Sequence, residues 1–215
     1  MKYTTVLFDF DGTLADSSKL IIPSIRYTYR KMELQTPPNE ILHKFIGPPL
    51  HEAFRVIGMP TGLIDRAVEI YRECFNDRNF MDINLFDGIE YLLKTLKDSG
   101  VRLAVASVRI EDKLKEICSE IRIDRYFEAV CGRVEEEGVL TKADVIRRAL
   151  HQLGNPKGKT VLVGDSDFDE EGAAEAGIDF IAVMYGFGFD SKADIQQSVY
   201  IADTVIDLAE YLINP

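Results

Sequence analysis

Short apolar runs alternate with amphipathic helical patterns from Leu85 to the end of the chain, and this alternation restricts the fold more than any other sequence feature. The runs Val101–Ala106, Thr160–Val163 and Ile178–Met184 have the length and composition of buried strands. Strands that alternate with helices in this way form a parallel sheet with helices on both faces. We therefore predict an α/β fold built on a doubly wound parallel sheet.

An all-helical segment separates the first apolar run, Thr4–Phe8, from the remaining strands. Residues 16–84 contain no convincing strand pattern but several helical ones, the first of which Ser18 can cap. We predict two domains, because the first strand completes the sheet of the later ones. These are an α/β core formed by residues 1–15 and 85–215 and a helical cap domain formed by residues 16–84.

The charge and composition of the chain restrict its partners. A net charge of −11 over 215 residues disfavours binding to a nucleic acid polymer or to an anionic membrane. It leaves a small anionic substrate possible, because local cations or a metal can dominate a pocket. No apolar run approaches membrane-spanning length, and the N-terminal residues lack a secretory signal pattern. We expect a cytoplasmic protein with reduced thiols, either a monomer or a homodimer.

Two acids follow the first apolar run one residue apart. Asp9 and Asp11 come directly after Thr4–Phe8, and Gly12-Thr13 follows them. By itself, this pattern fits a strand that ends in a solvated Asp-Gly turn. In an open α/β sheet, however, the carboxyl ends of the strands are where ligands bind. Two buried acids at such a position would repel each other unless a positive charge lies close to them.

Further polar residues occupy equivalent positions later in the chain. Ser107 follows the second strand, Lys142 begins a helix, and Asp165 and Asp169 follow a later strand. Carboxylates from two strands suit Mg²⁺, and a lysine with a serine hydroxyl suits phosphate oxygens. Each residue alone also fits an ordinary structural role, such as a solvated lysine in a first helical turn. Together they favour a site for phosphoryl chemistry, in which one aspartate attacks phosphorus and another transfers a proton.

These residues and their order resemble the motifs of a known family. Asp9–Leu14 (DFDGTL) resembles the first motif, DxDGT, of the haloacid dehalogenase-like hydrolases. Ser107 and Lys142 are similar to the second and third motifs, and residues 164–169 (GDSDFD) to the fourth, GDxxxD. The resemblance extends over essentially the whole chain. It implies a Rossmann-like core with a helical cap between the first and second motifs.

The resemblance also implies roles for the residues that match the motifs. Asp9 would be the nucleophile and Asp11 the general acid and base. Lys142 would balance the charges of Asp9 and the phosphate, and Ser107 would bind the phosphate.

The same resemblance implies a magnesium site. Mg²⁺ would be held by Asp9, by the backbone carbonyl of Asp11 and by Asp165. Asp169 would support these ligands through Lys142 or through a water molecule.

At a finer level, the chain resembles the phosphoglycolate phosphatase subgroup. Phe45–Leu50 (FIGPPL) and Met184–Gly188 (MYGFG) are similar to a bacterial 5′-nucleotidase-like branch of that subgroup. In this subgroup the cap loop around Gly47 faces the active site and helps to select the substrate.

Other positions are candidate contacts to the phosphate or to another anionic group. Val108 stands where many relatives carry a polar residue, so phosphate binding there is expected to depend on backbone groups, on Gly12 and on Arg109. Lys44 and His43 in the predicted cap are further candidate anion contacts, although each also fits a surface position.

We therefore expect a Mg²⁺-dependent phosphatase that hydrolyses a small phosphomonoester through an aspartyl-phosphate. Phosphoglycolate and a nucleoside 5′-monophosphate are the candidate substrates. A sugar phosphomutase of the same superfamily and a catalytically silent phosphate-binding module are the alternatives. A signalling receiver domain is disfavoured by the chain length and by the helical insertion. A dehalogenase is disfavoured because that branch lacks an acid at the position of Asp11.

Overall fold

A computed structural model describes residues 1–76, 83–138 and 140–214 and contains a six-stranded parallel sheet at its centre. The strand order is β5-β4-β1-β6-β7-β8, so the first strand of the chain lies inside the sheet. This arrangement confirms the predicted α/β fold. The strands are β1 (Thr5–Phe8), β4 (Arg102–Ile110), β5 (Ala129–Arg133), β6 (Thr160–Gly164), β7 (Asp179–Val183) and β8 (Tyr200–Ala202), with a separate antiparallel pair β2 (Ala15–Asp16) and β3 (Asn84–Leu85).

Helices cover both faces of the sheet because successive side chains of each strand point in opposite directions. Phe8 of β1 packs in the apolar cluster that includes α5, α6 and α9, whereas Leu7 packs in the cluster that includes α7 and α8. The helices are α1 (Ser18–Lys31), α2 (Asn39–His43), α3 (Leu50–Val56), α4 (Ile64–Asn76), α5 (Ile89–Asp98), α6 (Glu111–Glu120), α7 (Lys142–Gln152), α8 (Asp167–Ala176) and α9 (Val205–Ile213). None of the helices in the described ranges is both long and apolar enough to cross a membrane.

The helices α1 to α4, which we call the helical insert, lie between the two short strands β2 and β3. The insert has an aromatic centre in which the Phe45 ring lies 4.8 Å from that of Phe54 and 5.3 Å from that of Tyr71. The strand pair β2–β3 was not predicted, because strands of two residues leave no periodic pattern in the sequence. The predicted helix from Leu63 to Asn79 is α4, and residues 77–79 lie outside the described residues.

Capping boxes fix the starts of the two helices that carry candidate site residues. The Thr141 side chain accepts a hydrogen bond from the Asp144 backbone N–H, so Lys142 is the first residue of α7, as its predicted cap requires. Ser166 forms the same motif with Asp169, so α8 begins two residues earlier than predicted. Both helix starts face the carboxyl edge of the sheet, where their first-turn side chains can meet the ends of the strands.

Strand β4 is longer than predicted. The predicted strand ended at Ala106, but β4 continues to Ile110, with a register irregularity between these two residues. Ser107 therefore lies within the strand instead of closing it. Gly132 of β5 permits this extension, because a Cβ atom there would lie 2.6 Å from the carbonyl oxygen of Arg109.

Candidate active site

Lys142 lies between two aspartates at the carboxyl edge of the sheet. Its Nζ donates to Asp9 Oδ1 at 2.5 Å and contacts Asp169 Oδ1 at 2.6 Å. All three side chains are almost completely buried. The structure thus brings together the residues that match the first, third and fourth motifs.

Asp165 completes the group of acids, and its carboxylate is held by three donors. Thr13 Oγ1 donates to Oδ1 at 3.2 Å, and the backbone N–H groups of Phe187 and Gly188 donate to Oδ2 at 2.8 and 3.1 Å. The glycine-rich loop after β7 therefore fixes a predicted metal ligand. From the sequence, this loop suggested only a similarity to one branch of the subgroup.

Two glycines allow this close approach to Asp165. A Cβ atom on Gly12, which has φ +85°, would lie 2.2 Å from Asp165 Oδ2, and a Cβ atom on Gly186 would lie 2.4 Å from the same oxygen. Gly12 was predicted as a phosphate contact, and in the structure it packs against Asp165.

Asp169 acts as a support for the neighbouring groups. Its Oδ2 accepts hydrogen bonds from the backbone N–H groups of Asp165 and Ser166 at 3.2 and 3.1 Å and from the Ser166 hydroxyl at 2.7 Å. Since its Oδ1 contacts Lys142, Asp169 links the start of α8 to the start of α7.

Burial controls the ionisation of this group. It raises the pKa of Asp9 well above the ordinary range, although the Lys142 charge opposes this rise. Burial, together with the nearby Asp169 charge, raises the pKa of Asp165 to about 7. For Lys142 burial alone would lower the pKa, but the charges of Asp169 and Asp9 raise it above its ordinary value. The two neighbouring carboxylates therefore favour the charged form of Lys142.

The acids present fit a divalent cation. Asp9, Asp165 and Asp169 each offer a carboxylate oxygen within 4.8 Å of the others. When the four buried carboxylates, the fourth being Asp11, are all ionised, the two cations Lys142 and Arg109 leave an excess of two negative charges. Uncompensated buried charge is costly, and Mg²⁺ prefers oxygen ligands.

Asp11 points away from this group, towards the helical insert. The guanidinium of Arg109 binds both oxygens of Asp11: Nε donates to Oδ2 at 2.6 Å and Nη2 donates to Oδ1 at 2.7 Å. Ser17, directly before α1, donates to Oδ1 at 2.5 Å. Arg109 was predicted as a phosphate contact, and here its guanidinium is occupied by Asp11. Neither this ion pair nor the Ser17 contact left a signal in the sequence.

The remaining predicted site residues occupy different positions. Ser107 is buried beside this edge of the sheet, and its hydroxyl accepts from the Arg109 backbone N–H at 3.4 Å. Lys44 pairs with Asp190 at 2.7 Å on the exposed surface, and the His43 ring packs on the Phe187 ring. Lys44 and His43 are thus not among the residues that line the cavity described next.

A cavity of about 480 Å³ lies between the helical insert and the core, next to Asp11. Its wall combines apolar and aromatic side chains with charged ones of both signs, among them Asp11, Glu111, Arg109 and Arg133, and it includes Gly47, as predicted for the insert loop. Residues that line it include Ile21, Phe45, Gly47, Pro48, Tyr71, Phe75, Val108, Arg109 and Arg133. The aromatic residues of α4 were seen in the sequence as a helical stripe, a pattern that does not separate core packing from a pocket wall.

The chain is similar in sequence and in structure to several known proteins. The chain is 34% identical over 209 residues to the tyrosine-protein kinase PtkA of Mycobacterium tuberculosis, covering 96% of this chain and 72% of the relative. It is 34% identical to a 5′-nucleotidase of Pseudomonas aeruginosa, covering 94% and 93% of the two chains. A crystal structure of a predicted phosphatase from Clostridium acetobutylicum superimposes with a TM-score of 0.88 at 32% identity, over the full length of both chains.

A family model described as haloacid dehalogenase-like hydrolase matches residues 6–183, which is most of the chain and includes all the acids and the lysine of the site. Ser107 lies inside the matched range as well. The chain belongs to the haloacid dehalogenase-like hydrolases.

Proposed function

We propose that the chain is a Mg²⁺-dependent phosphatase that hydrolyses a small phosphomonoester through an aspartyl-phosphate on Asp9. The observation that carries this proposal is the position of Asp9, which is buried, bonded to Lys142 and grouped with Asp165 at the ends of two adjacent strands. The phosphatase names of several relatives support the same reaction class.

The proposed reaction has two steps. The Asp9 carboxylate attacks phosphorus, and the bond between phosphorus and the leaving oxygen breaks while Asp11 gives that oxygen a proton. For this step Asp11 must leave Arg109, which binds both of its oxygens in the structure, and must carry a proton. Asp11 then takes a proton from water, which attacks the phosphorus of the aspartyl-phosphate and restores Asp9. Lys142 holds Asp9 in place and reduces the repulsion between its carboxylate and the phosphate.

Asp9, Asp165 and the backbone carbonyl of Asp11 would hold Mg²⁺, which would neutralise charge on the phosphate. Asp169 supports the same site through Lys142 and the backbone N–H of Asp165.

The cavity supports a leaving group larger than that of phosphoglycolate. Its volume of about 480 Å³ is within the range of small-molecule pockets, and Tyr71 and Phe75 give it an aromatic wall. A two-carbon acid would leave most of this cavity empty, so a nucleoside 5′-monophosphate fits it better. A panel of nucleoside monophosphates, phosphoglycolate, sugar phosphates and pyrophosphate, compared by kcat/KM for phosphate release, tests this preference.

The first test of the function is hydrolysis of p-nitrophenyl phosphate. Wild-type protein is expected to release phosphate only with Mg²⁺, and Asp9→Asn is expected to lower kcat to background because it removes the nucleophile. Asp167→Asn is the matched control, since Asp167 is exposed in the same motif as Asp165. Activity that survives Asp9→Asn would overturn the mechanism. A lack of turnover with every phosphate ester would favour a silent phosphate-binding module, and conversion of one sugar phosphate into another would favour a phosphomutase.

A further inference from the structure

Arg133 lies at the same edge of the sheet as the candidate active site, on its opposite side from Asp165. It is the last residue of β5, and it is aligned with Ile110 at the end of β4. Its side chain is 17% exposed and lines the cavity that Asp11 and Arg109 also line. A leaving group that extends from the phosphate past Asp11 would enter this cavity.

Two arginines, Arg109 and Arg133, line the cavity, and each has an Nε–Nη2 edge (a fork) that can bind two oxygens of one anion. Only the Arg109 fork binds two oxygens in the structure. Arg109 uses Nε and Nη2 together to bind the two oxygens of Asp11. The equivalent edge of Arg133 binds a single oxygen, Oε1 of Glu135, through Nη2 at 2.9 Å. Its Nε is buried and has no hydrogen-bond partner among the described residues. A buried donor without an acceptor costs free energy, and a two-oxygen anion is the group that fits such a fork.

The contact of Arg133 with Glu135 is easily exchanged. Glu135 is 47% exposed and stands on a short 3₁₀ turn, Glu135–Glu137. The same carboxylate also lies 3.8 Å from Arg72 of the helical insert, so one acid serves two arginines. The Glu135 end of this ion pair is therefore partly solvated and is shared between two partners, which weakens its hold on Arg133. A ligand anion can therefore replace Glu135 at Arg133 at small cost.

The backbone next to Arg133 is held in place by the packing of β5 against β4, and a binding residue needs such a rigid position. A Cβ atom on the preceding Gly132 would lie 2.6 Å from Glu111 Cα, so β5 packs directly against the end of β4. The Gly132 N–H also donates to Glu111 Oε2 at 3.2 Å. Arg133 and Arg109 are consequently held in a constant relation on one wall of the cavity.

We propose that Arg133 is a specificity-determining residue that binds a second acidic group, a carboxylate or a phosphate, on the leaving group of the substrate. The acidic group replaces Glu135 and accepts from both Nε and Nη2. This inference rests on the proposed phosphatase function. It changes the preferred substrate from a nucleoside 5′-monophosphate, whose leaving group is uncharged, to a phosphomonoester whose bulky leaving group ends in an acid.

The test uses wild-type protein, Arg133→Met and the control Arg147→Met. Methionine retains much of the apolar packing of the arginine stem. Arg147 is exposed, pairs with Glu175 on the surface and is not a cavity residue, so its loss controls for the removal of one positive charge. The substrates are three series of straight-chain phosphomonoesters of increasing length that end in a methyl group, a carboxylate or a phosphonate. The last carries the charge of a phosphate but is not hydrolysed.

At the chain length that reaches Arg133, an acidic end is expected to lower the KM of the wild-type protein about tenfold or more relative to a methyl end. In Arg133→Met this difference between acidic and methyl ends disappears, whereas in Arg147→Met it remains. A larger effect for the carboxylate or for the phosphonate identifies which acid the site prefers. No advantage for an acidic end at any length, or an advantage that persists in Arg133→Met, would overturn the inference.

A second variant tests the exchange itself. Glu135→Gln removes the competing carboxylate, so the KM for acid-ended substrates is expected to fall, opposite to the effect of Arg133→Met. An unchanged KM would contradict the replacement of Glu135.

Binding of the same compounds to Asp9→Asn, measured by calorimetry, separates the two proposals. Binding that favours acidic ends without any turnover by wild-type protein would retain the Arg133 site and reject the phosphatase. Turnover without a preference for acidic ends would retain the phosphatase and reject the Arg133 site.

Discussion

At the residue scale, the site consists of acids that tolerate one another only because cations lie between them. Lys142 separates Asp9 from Asp169, and Arg109 neutralises Asp11. Asp165 has only neutral donors around it, so burial and the Asp169 charge raise its pKa to about 7. Metal binding and protonation therefore compete at Asp165.

This competition predicts a pH-dependent effect of Mg²⁺ on stability. In metal-free protein the folded-state pKa of Asp165 lies above its unfolded value, so the stabilising contribution is present below the unfolded value and is lost as pH rises to about 7. Mg²⁺ binds the ionised form, so the increase in Tm that it causes should grow between about pH 5 and about pH 8. A change of about 1 kcal/mol corresponds to about 2–4 °C for a chain of this size.

Melting curves with Mg²⁺ and with EDTA measure this effect. Asp165→Asn is the control in which its pH dependence should weaken, since Asp9, whose pKa is also raised, still binds protons and metal in competition. Equal stabilisation at the two ends of the pH range would contradict this account of Asp165.

The sequence was sufficient for some of these residues and not for others. Asp9, Lys142, Asp165 and Asp169 meet as predicted, because strand ends and helix starts converge at one edge of an α/β sheet. The ion pair of Arg109 with Asp11 depends on the irregular end of β4, which no periodicity reveals.

At the element scale, the glycine-rich loop after β7 positions a predicted metal ligand. Its backbone N–H groups at Phe187 and Gly188 hold Asp165, and Gly186 lets the loop approach that side chain. The loop therefore connects the far end of the sheet to the centre of the site.

Gly186→Ala tests the role of this loop. The added Cβ atom would lie 2.4 Å from Asp165 Oδ2 and 2.5 Å from the Gly12 carbonyl oxygen, so the loop or Asp165 must move. We expect a loss of about 1–3 kcal/mol in the free energy of unfolding and a higher Mg²⁺ concentration for half-maximal activity.

Gly62→Ala is the matched control, because nothing lies within 4 Å of its added Cβ atom. Denaturant unfolding and a Mg²⁺ titration provide the two measurements. Identical results for the two alanine variants would show that the close approach of Gly186 to Asp165 affects neither stability nor the Mg²⁺ requirement.

Helix boundaries were better predicted than strand boundaries. Thr141 gives a strong capping signal, so the start of α7 was predicted to the residue. The extension of β4 to Ile110 was missed because Gly132, its neighbour in space, is distant in sequence.

At the scale of the whole molecule, the alternation of strands and helices was sufficient to predict the α/β class. The sequence did not predict the order of the strands, since pairing between distant segments depends on the packing of the complete sheet. The action of the helical insert as a separate cap domain stays a prediction. Arg72 and Lys44 of the insert both form ion pairs with residues of the core.

The central claim is that Asp9 becomes phosphorylated during turnover, and trapping this species tests it most directly. Protein that is turning over a phosphomonoester is quenched with acid, digested and examined by mass spectrometry. We expect one added phosphoryl group on the peptide that contains Asp9 and none in Asp9→Asn. With p-nitrophenyl phosphate, whose leaving group departs without a proton from Asp11, we expect a larger fraction in Asp11→Asn, where the second step is slowed. Steady turnover with no phosphorylated peptide, or with the phosphoryl group on another residue, would contradict the account.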